Sequence, residues 1–149
     1  MIDGIRHTGI TVTDMELALE LYRDLLGLRV VMDNEASGPW FSQVVGLENA
    51  RARVVMLEAP DGARLELFEY LSHPEDAPTK PLPSRIGCTH VAFRVGDLDA
   101  LYRKLLDRGY TFDSPPSNTP DGFARVTYGH DADGTIIELV EILDPASAP

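Results

Sequence analysis

The chain has 149 residues, 44% of them hydrophobic, and a formal net charge of −11. That length suits one compact domain or two small modules sharing a core, and the acidic balance excludes a phosphate-backbone partner, which needs the opposite sign. Its one cysteine, Cys88, rules out an intrachain disulfide and reads as a small buried residue beside a strand. No run approaches the roughly 18–20 apolar residues of a membrane span, so a soluble, cytoplasmic protein is expected.

Residues 5–13, rich in β-branched side chains, predict a strand. Asp14 then offers an N-cap, and Leu17, Leu21 and Leu25 recur at helical spacing until Gly27 stops the helix. Leu28 to Met32 is a short apolar strand. Residues 33–44 have no clear period, and Gly38-Pro39 reads as a breaker before Trp40 and Phe41. Arg53 to Glu58 and Ala63 to Tyr70 are strands joined by a Pro60-Asp61-Gly62 turn. The proline-rich stretch 72–86 is a linker.

The second half repeats the first. Cys88 to Val95 predicts a strand, Asp97 a cap, Leu98, Leu101 and Leu105 a helix, and Gly109 its stop. Tyr110 and Phe112 lie in a short strand. Ala124 to Tyr128 and Thr135 to Leu143 are strands around an Asp131–Gly134 turn. His7 precedes Asp14 by seven positions, and His90 precedes Asp97 by seven. The fold class is therefore α+β: two βαβββ modules in tandem within one domain, 1–149. Module one is 5–71, module two 87–143, and 144–149 is a frayed polar tail.

Each module carries one His on its first strand and one Glu on its last: His7 with Glu66, His90 with Glu138. Strand alternation puts Leu65 and Leu67 toward the helix and Glu66 away from it. Ile137, Leu139 and Glu138 repeat that arrangement. Glu69 and Glu141 have the opposite parity and read as rim residues. Two imidazoles and two carboxylates, with no thiolate, suit one divalent ion: Zn, Ni, Co, Mn or Fe. Four ligands on an octahedral ion leave two positions for a substrate with neighbouring oxygens. His73 and His130 have no duplicate and read as solvated.

The segments Ile5–Val12 with Tyr22–Leu28, Gly87–Val95 and Asp131–Leu139 resemble the vicinal oxygen chelate superfamily. That superfamily includes glyoxalase I, methylmalonyl-CoA epimerase, extradiol dioxygenases and bleomycin-resistance proteins. The resemblance covers about residues 5–143. It implies paired βαβββ modules forming a cup-shaped mixed sheet around a metal, with helices outside, and commonly a homodimer. Its ligand positions map onto His7, Glu66, His90 and Glu138. Carboxylates at the second and fourth positions match glyoxalase I-like members. Epimerase-like members generally carry Gln where Glu66 stands, and the dioxygenases use a His, His, Glu triad.

The resemblance implies a metal-dependent lyase or isomerase acting on a small carbonyl substrate by proton transfer through a metal-stabilised enediolate. Glu66 or Glu138 would be the base. The alternative is a protein that binds an antibiotic or natural product without catalysis, with Trp40, Phe41, Phe68 and Tyr128 as stacking surfaces. Phe93 reads as core packing. Gln43 and Arg125 are further substrate-contact candidates, Arg125 for a substrate anion. A further alternative is an Fe-dependent dioxygenase or an epimerase.

Overall fold

The computed structural model describes residues 1–75, 82–87 and 89–143. The expectations for Cys88, for the tail and for residues 76–81 of the linker lie outside the described residues. The chain divides into two compact units, Met1–Ala77 and Pro78–Pro149. Among the described residues, no helix is long and apolar enough to cross a membrane.

The first unit runs β1 (Thr8–Thr11), α1 (Met15–Leu19), a π-helix over Glu20–Leu25, β2 (Arg29–Ser37), α2 (Gly38–Val45), β3 (Arg51–Glu58) and β4 (Arg64–Tyr70). The second runs β5 (His90–Arg94), α3 (Leu98–Asp107), β6 (Thr111–Phe112), β7 (Ser117–Asn118), β8 (Ala124–His130) and β9 (Ile136–Ile142). The sheets have the same order, β1-β4-β3-β2 and β5-β9-β8-β6, with β7 added beside β8. In both, the first strand lies parallel to the last and the remaining pairs are antiparallel. A parallel pair needs a crossover, and the helix after the first strand begins it.

Both helix starts are capped as expected. Asp14 Oδ1 accepts from the amides of Glu16 and Leu17 at 2.9 and 3.1 Å, and Asp97 Oδ1 accepts from Ala100 at 2.9 Å. Both stops are glycines in the left-handed region, Gly27 at φ 81° and Gly109 at φ 86°, where a Cβ would be strained. The apolar face of the first helix differs from the expected one. Met15, Ala18, Leu19 and Tyr22 are buried at i, i+3, i+4 and i+7, whereas Leu17 is 49% exposed. The wider π turn, marked by Leu26 N–H donating to Leu21 O at 2.9 Å, brings Leu21 and Leu25 inward as well. These side chains cover Leu65 and Leu67 of β4 and their cross-strand neighbours Leu57 and Val55. In the second unit Leu98 and Leu105 of α3 cover Ile137 and Leu139 of β9, all fully buried.

Four elements depart from the sequence expectation. The first strand begins at Thr8 rather than Ile5, leaving His7 just ahead of it. Gly38-Pro39 opens α2 instead of breaking the chain, because proline at the first turn loses no hydrogen bond and its φ suits a helix. The unpatterned stretch before it extends β2 to Ser37. The two-residue β7 is too short to leave a period of its own.

A duplicated ion-pair latch ties each helix start to its sheet. Arg53 of β3 bonds Glu16 at 2.7 Å and Asp33 of β2 at 2.8 and 3.0 Å. Arg125 of β8 forms a two-pronged pair with Asp99 at 2.8 and 2.9 Å. Glu16 and Asp99 each lie two residues after the capping Asp.

Replacing Leu67 or Leu139 by Ala is expected to cost about 2–5 kcal/mol, read by urea unfolding. Arg53→Ala is expected to cost under about 1 kcal/mol, because its partners are partly solvated. The Arg53 hydrogen bond holds the Asp33 carboxyl below its ordinary range, against an opposing desolvation effect. A depressed carboxyl stabilises fully above its unfolded value of about 4 and loses that contribution as pH falls through the folded one. The wild-type advantage over Arg53→Ala should therefore shrink in acid below about pH 4.

Candidate metal-binding face

In both modules the strand register joins the His and the Glu in the same way. Gly9 pairs with Glu66, and His7 stands two residues before Gly9. Ala92 pairs with Glu138, and His90 stands two residues before Ala92. A two-residue offset keeps each His on the face of its Glu, opposite the helix. His7 Nε2 lies 3.1 Å from Glu66 Oε2, and His90 Nε2 lies 3.2 Å from Glu138 Oε2. The carboxylates are the more sheltered members, at 14% and 19% side-chain exposure against 31% and 46% for the rings.

Donor spacing tests whether a metal fits. Ligands about 2.1 Å from an ion and at right angles to each other stand about 3 Å apart. Both pairs have that separation, which is also the length of a His–carboxylate hydrogen bond. Within either unit, among the described residues, no third His, Cys, Asp or Glu joins the pair. Each pair therefore offers two adjacent donor atoms and no more. His7 Nδ1 is buried without a hydrogen-bond partner among the described residues. Metal-binding imidazoles usually donate through their second nitrogen, and leaving that group unmade costs about 1–3 kcal/mol. The His7 ring is thus oriented by Glu66 and by packing, with no second hydrogen bond.

The surroundings of the two pairs differ. Met56 faces Glu66 across the strands, and Phe68 and Tyr70 follow on the same face. Phe68 stacks on Tyr70 with centroids 6.0 Å apart, and Tyr70 on Phe41 at 6.4 Å. Phe41 is buried in a cluster with Ala50, Ala52 and Val54, so α2 folds onto the face that carries Glu66. In the second unit Tyr128 takes the place of Met56 opposite Glu138. Its ring lies 5.3 Å from the His90 ring, tilted by 34°. Burial, and secondarily the Glu138 charge, push the Tyr128 phenol above its ordinary range.

The other expected contacts scatter. Trp40 is 71% exposed on α2, and Gln43 is exposed on the same helix. Arg125 lies in register with Glu141, on the helix side of its sheet and opposite Glu138. Arg53 is likewise in register with Glu69, so the two off-parity glutamates each face a latch arginine. Phe93 alternates with Ala92 and Arg94 and is half-buried on the helix side. His73 is exposed, as expected, and sits 2.7 Å from Ser72 Oγ.

His130 is not solvated. It is 4% exposed, with Nε2 3.1 Å from Asp113 Oδ1 and Nδ1 3.2 Å from Gly134 O. It closes the end of β8 against the turn that leads into β9. The signal was its alternation with Tyr128 along a half-buried strand, a stronger cue than its nearness to a turn.

A family model described as the Glyoxalase/Bleomycin resistance protein/Dioxygenase superfamily matches residues 4–139. The chain belongs to that superfamily. Among curated relatives, the uncharacterized protein YraH of Bacillus subtilis strain 168 is 26% identical over 135 residues, covering 90% of this chain and 94% of that protein. The crystal structure of a glyoxalase family protein from Bacillus cereus matches with a TM-score of 0.87 at 25% identity, covering 97% of both chains. A mutant of the fosfomycin resistance protein FosX from Listeria monocytogenes, solved with Mn(II) and 1S,2S-dihydroxypropylphosphonic acid, matches at a TM-score of 0.65 and 16% identity. That match covers 93% of this chain and 90% of the other. Superfamily membership agrees with the α+β class and with the resemblance read from the sequence. It leaves the reaction open, since the superfamily's own description spans glyoxalases, resistance proteins and dioxygenases.

The phenol of Tyr128 is open to direct titration. The difference in tyrosinate absorbance between wild type and Tyr128→Phe should show ionisation above the ordinary value of about 10. Glu138→Gln should bring it only part of the way back, burial being the larger cause.

Proposed function

We propose that the pairs His7–Glu66 and His90–Glu138 together hold one divalent ion per chain. On this reading the protein is a metal-dependent lyase or isomerase of glyoxalase type, acting on a small carbonyl substrate. One observation carries the reading. Two His–Glu pairs recur in identical register, each with the donor spacing of neighbouring ligands on one ion. The donors are imidazole and carboxylate, a set that suits Zn, Ni, Co, Mn or Fe. Counting one ion per two pairs holds whether the pairs come from one chain or from two copies.

A bound ion would supply Lewis-acid stabilisation of negative charge on a substrate's vicinal oxygens. The chain's own residues do the rest. His7 and His90 present Nε2. Glu66 and Glu138 are the carboxylates on that face, and either Oε2 can take a proton from a substrate C–H within hydrogen-bond reach. Tyr128, kept protonated by its surroundings, is a donor toward a substrate oxygen beside Glu138. Phe68 and Met56 keep water from Glu66. Among the expected contacts, Phe68 follows Glu66 on its face and Tyr128 stands opposite Glu138, which supports a role for these two.

Metal analysis after purification without chelator should find about one divalent ion per chain. His7→Ala and Glu138→Ala should each abolish tight binding. Solvent deuterium should enter next to the carbonyl of a turned-over substrate in a panel of small α-hydroxycarbonyl compounds. Glu66→Gln or Glu138→Gln should slow that exchange about 10²–10⁴-fold, the usual cost of losing a general base. Protein that carries no ion, and gains no exchange on adding Ni²⁺, Co²⁺ or Zn²⁺, would falsify the proposal.

A second reading, binding of an aromatic natural product without turnover, is favoured by the stacked row Phe68, Tyr70 and Phe41 and by the bare indole of Trp40. Such a ligand should change the fluorescence of Trp40, the only Trp, at micromolar concentration, and a chelator should leave the change intact. Loss of the signal with chelator returns the case to the metal-dependent reading.

A further inference from the structure

Beside the His90–Glu138 pair stands a cation that no ion pair accounts for. Arg94 is the last residue of β5, exposed, and in register with Val140 of β9. His90, Ala92 and Arg94 alternate onto one face, the face of Glu138 and Tyr128. Ala92 pairs with Glu138, so Arg94 lies one strand repeat, about 6.6 Å, beyond the row that holds Glu138. Its neighbours on that face are Val140 and, one strand further, Val126. No carboxylate is in register with it, and among the described residues its side chain has no ion-pair or hydrogen-bond partner.

Arg6 and Arg85 likewise lack an ion pair among the described residues, but Arg94 is the one on the face of a His–Glu pair, in a chain of net charge −11. Arg23, Arg29, Arg51, Arg53, Arg64 and Arg125 all stand within 4 Å of a carboxylate. The fold does not need the charge either. The duplicated register puts Thr11 of the first unit, opposite Phe68, in the position of Arg94. The apolar stem of Arg94 can lie on Val140 while the guanidinium stays free and wet. A planar five-donor group held beside a chelating pair is suited to a bidentate oxyanion.

We infer that Arg94 is a specificity-determining residue that receives the anionic group of the substrate, a carboxylate or phosphoryl-type oxyanion set one strand repeat from the oxygens held at His90 and Glu138. The inference rests on the metal reading for the position of those oxygens, and its substrate class is narrower: small carbonyl compounds that also carry an anionic end. In an otherwise acidic protein, Arg94 would draw such a substrate in and fix its direction.

The test compares two chelating probes on Co²⁺-loaded protein, followed by the cobalt visible spectrum. Acetohydroxamate carries vicinal oxygens alone, and succinic acid monohydroxamate adds a carboxylate two carbons away. Wild type should bind the second at least tenfold more tightly, a preference that weakens with salt. Arg94→Gln should bind both about equally, with the acetohydroxamate affinity and cobalt spectrum of wild type. Arg94→Lys should fall between, since it keeps the charge and loses the fork. Equal affinities in wild type, or an unchanged preference in Arg94→Gln, overturn the inference. A metal-free arm separates it from the metal reading. Methylphosphonate should shift the arginine Nε–Hε NMR signal that Arg94→Gln removes, and no shift counts against the anchor. If that signal moves in protein that binds no Co²⁺, the anion anchor stands and the metal proposal falls.

Discussion

Everything at the candidate site depends on one pairing: the first strand of each module lies parallel to the last. Parallel neighbours cannot be joined by a tight turn, so the chain must cross over one face of the sheet. The crossing helix claims that face for apolar side chains: Leu65 and Leu67 in one unit, Ile137 and Leu139 in the other. What alternates with them is left on the opposite face, and there the sequence puts Glu66 and Glu138. The two-residue offset between strands adds a histidine to each. The placement of the two pairs is therefore a by-product of hydrophobic burial plus register. A one-residue slip in either pairing would send the His to the helix side and dismantle the pair.

Much of this was legible in the residues because the governing signals are local. Asp14 and Asp97 mark helix starts, Gly27 and Gly109 mark stops, and strand parity alone separates Glu66 from Glu69 and Glu138 from Glu141. The misses have physical causes too. The π turn over Glu20–Leu25 shifts the buried stripe away from Leu17, and no sequence period announces it. The helix Gly38–Val45 hides behind a Gly-Pro pair that elsewhere ends helices, and only its burial of Phe41 justifies it. Arg125 reads as a contact for a substrate anion because its partners, Asp99 and Glu141, are distant in sequence. Aligning it with Arg53 would have revealed the latch. The buried His130 depends on Asp113, from a connection with no pattern of its own.

The two His–Glu pairs sit in unlike surroundings, and this matters for any division of labour. Glu66 shares its face with a thioether and stacked aromatic rings. Glu138 has a phenol beside it and a wetter imidazole partner. Two chemically equivalent side chains can then take different roles without any change in residue type.

The latch has a longer reach than its modest energy suggests. It occurs twice, on the helix side, with the same spacing from the capping aspartate and the same strand position. Around the duplicated His–Glu pairs the two units differ: Met56 against Tyr128, Thr11 against Arg94, an added helix in one and a strand added beside β8 in the other. A duplicated chain is its own pairwise comparison. Positions where the copies agree record what folding demands of a module, and positions where they disagree record what only one half was free to become. By that measure the latch and the paired His and Glu belong to the shared module, and the residues around those pairs are where the two halves went separate ways.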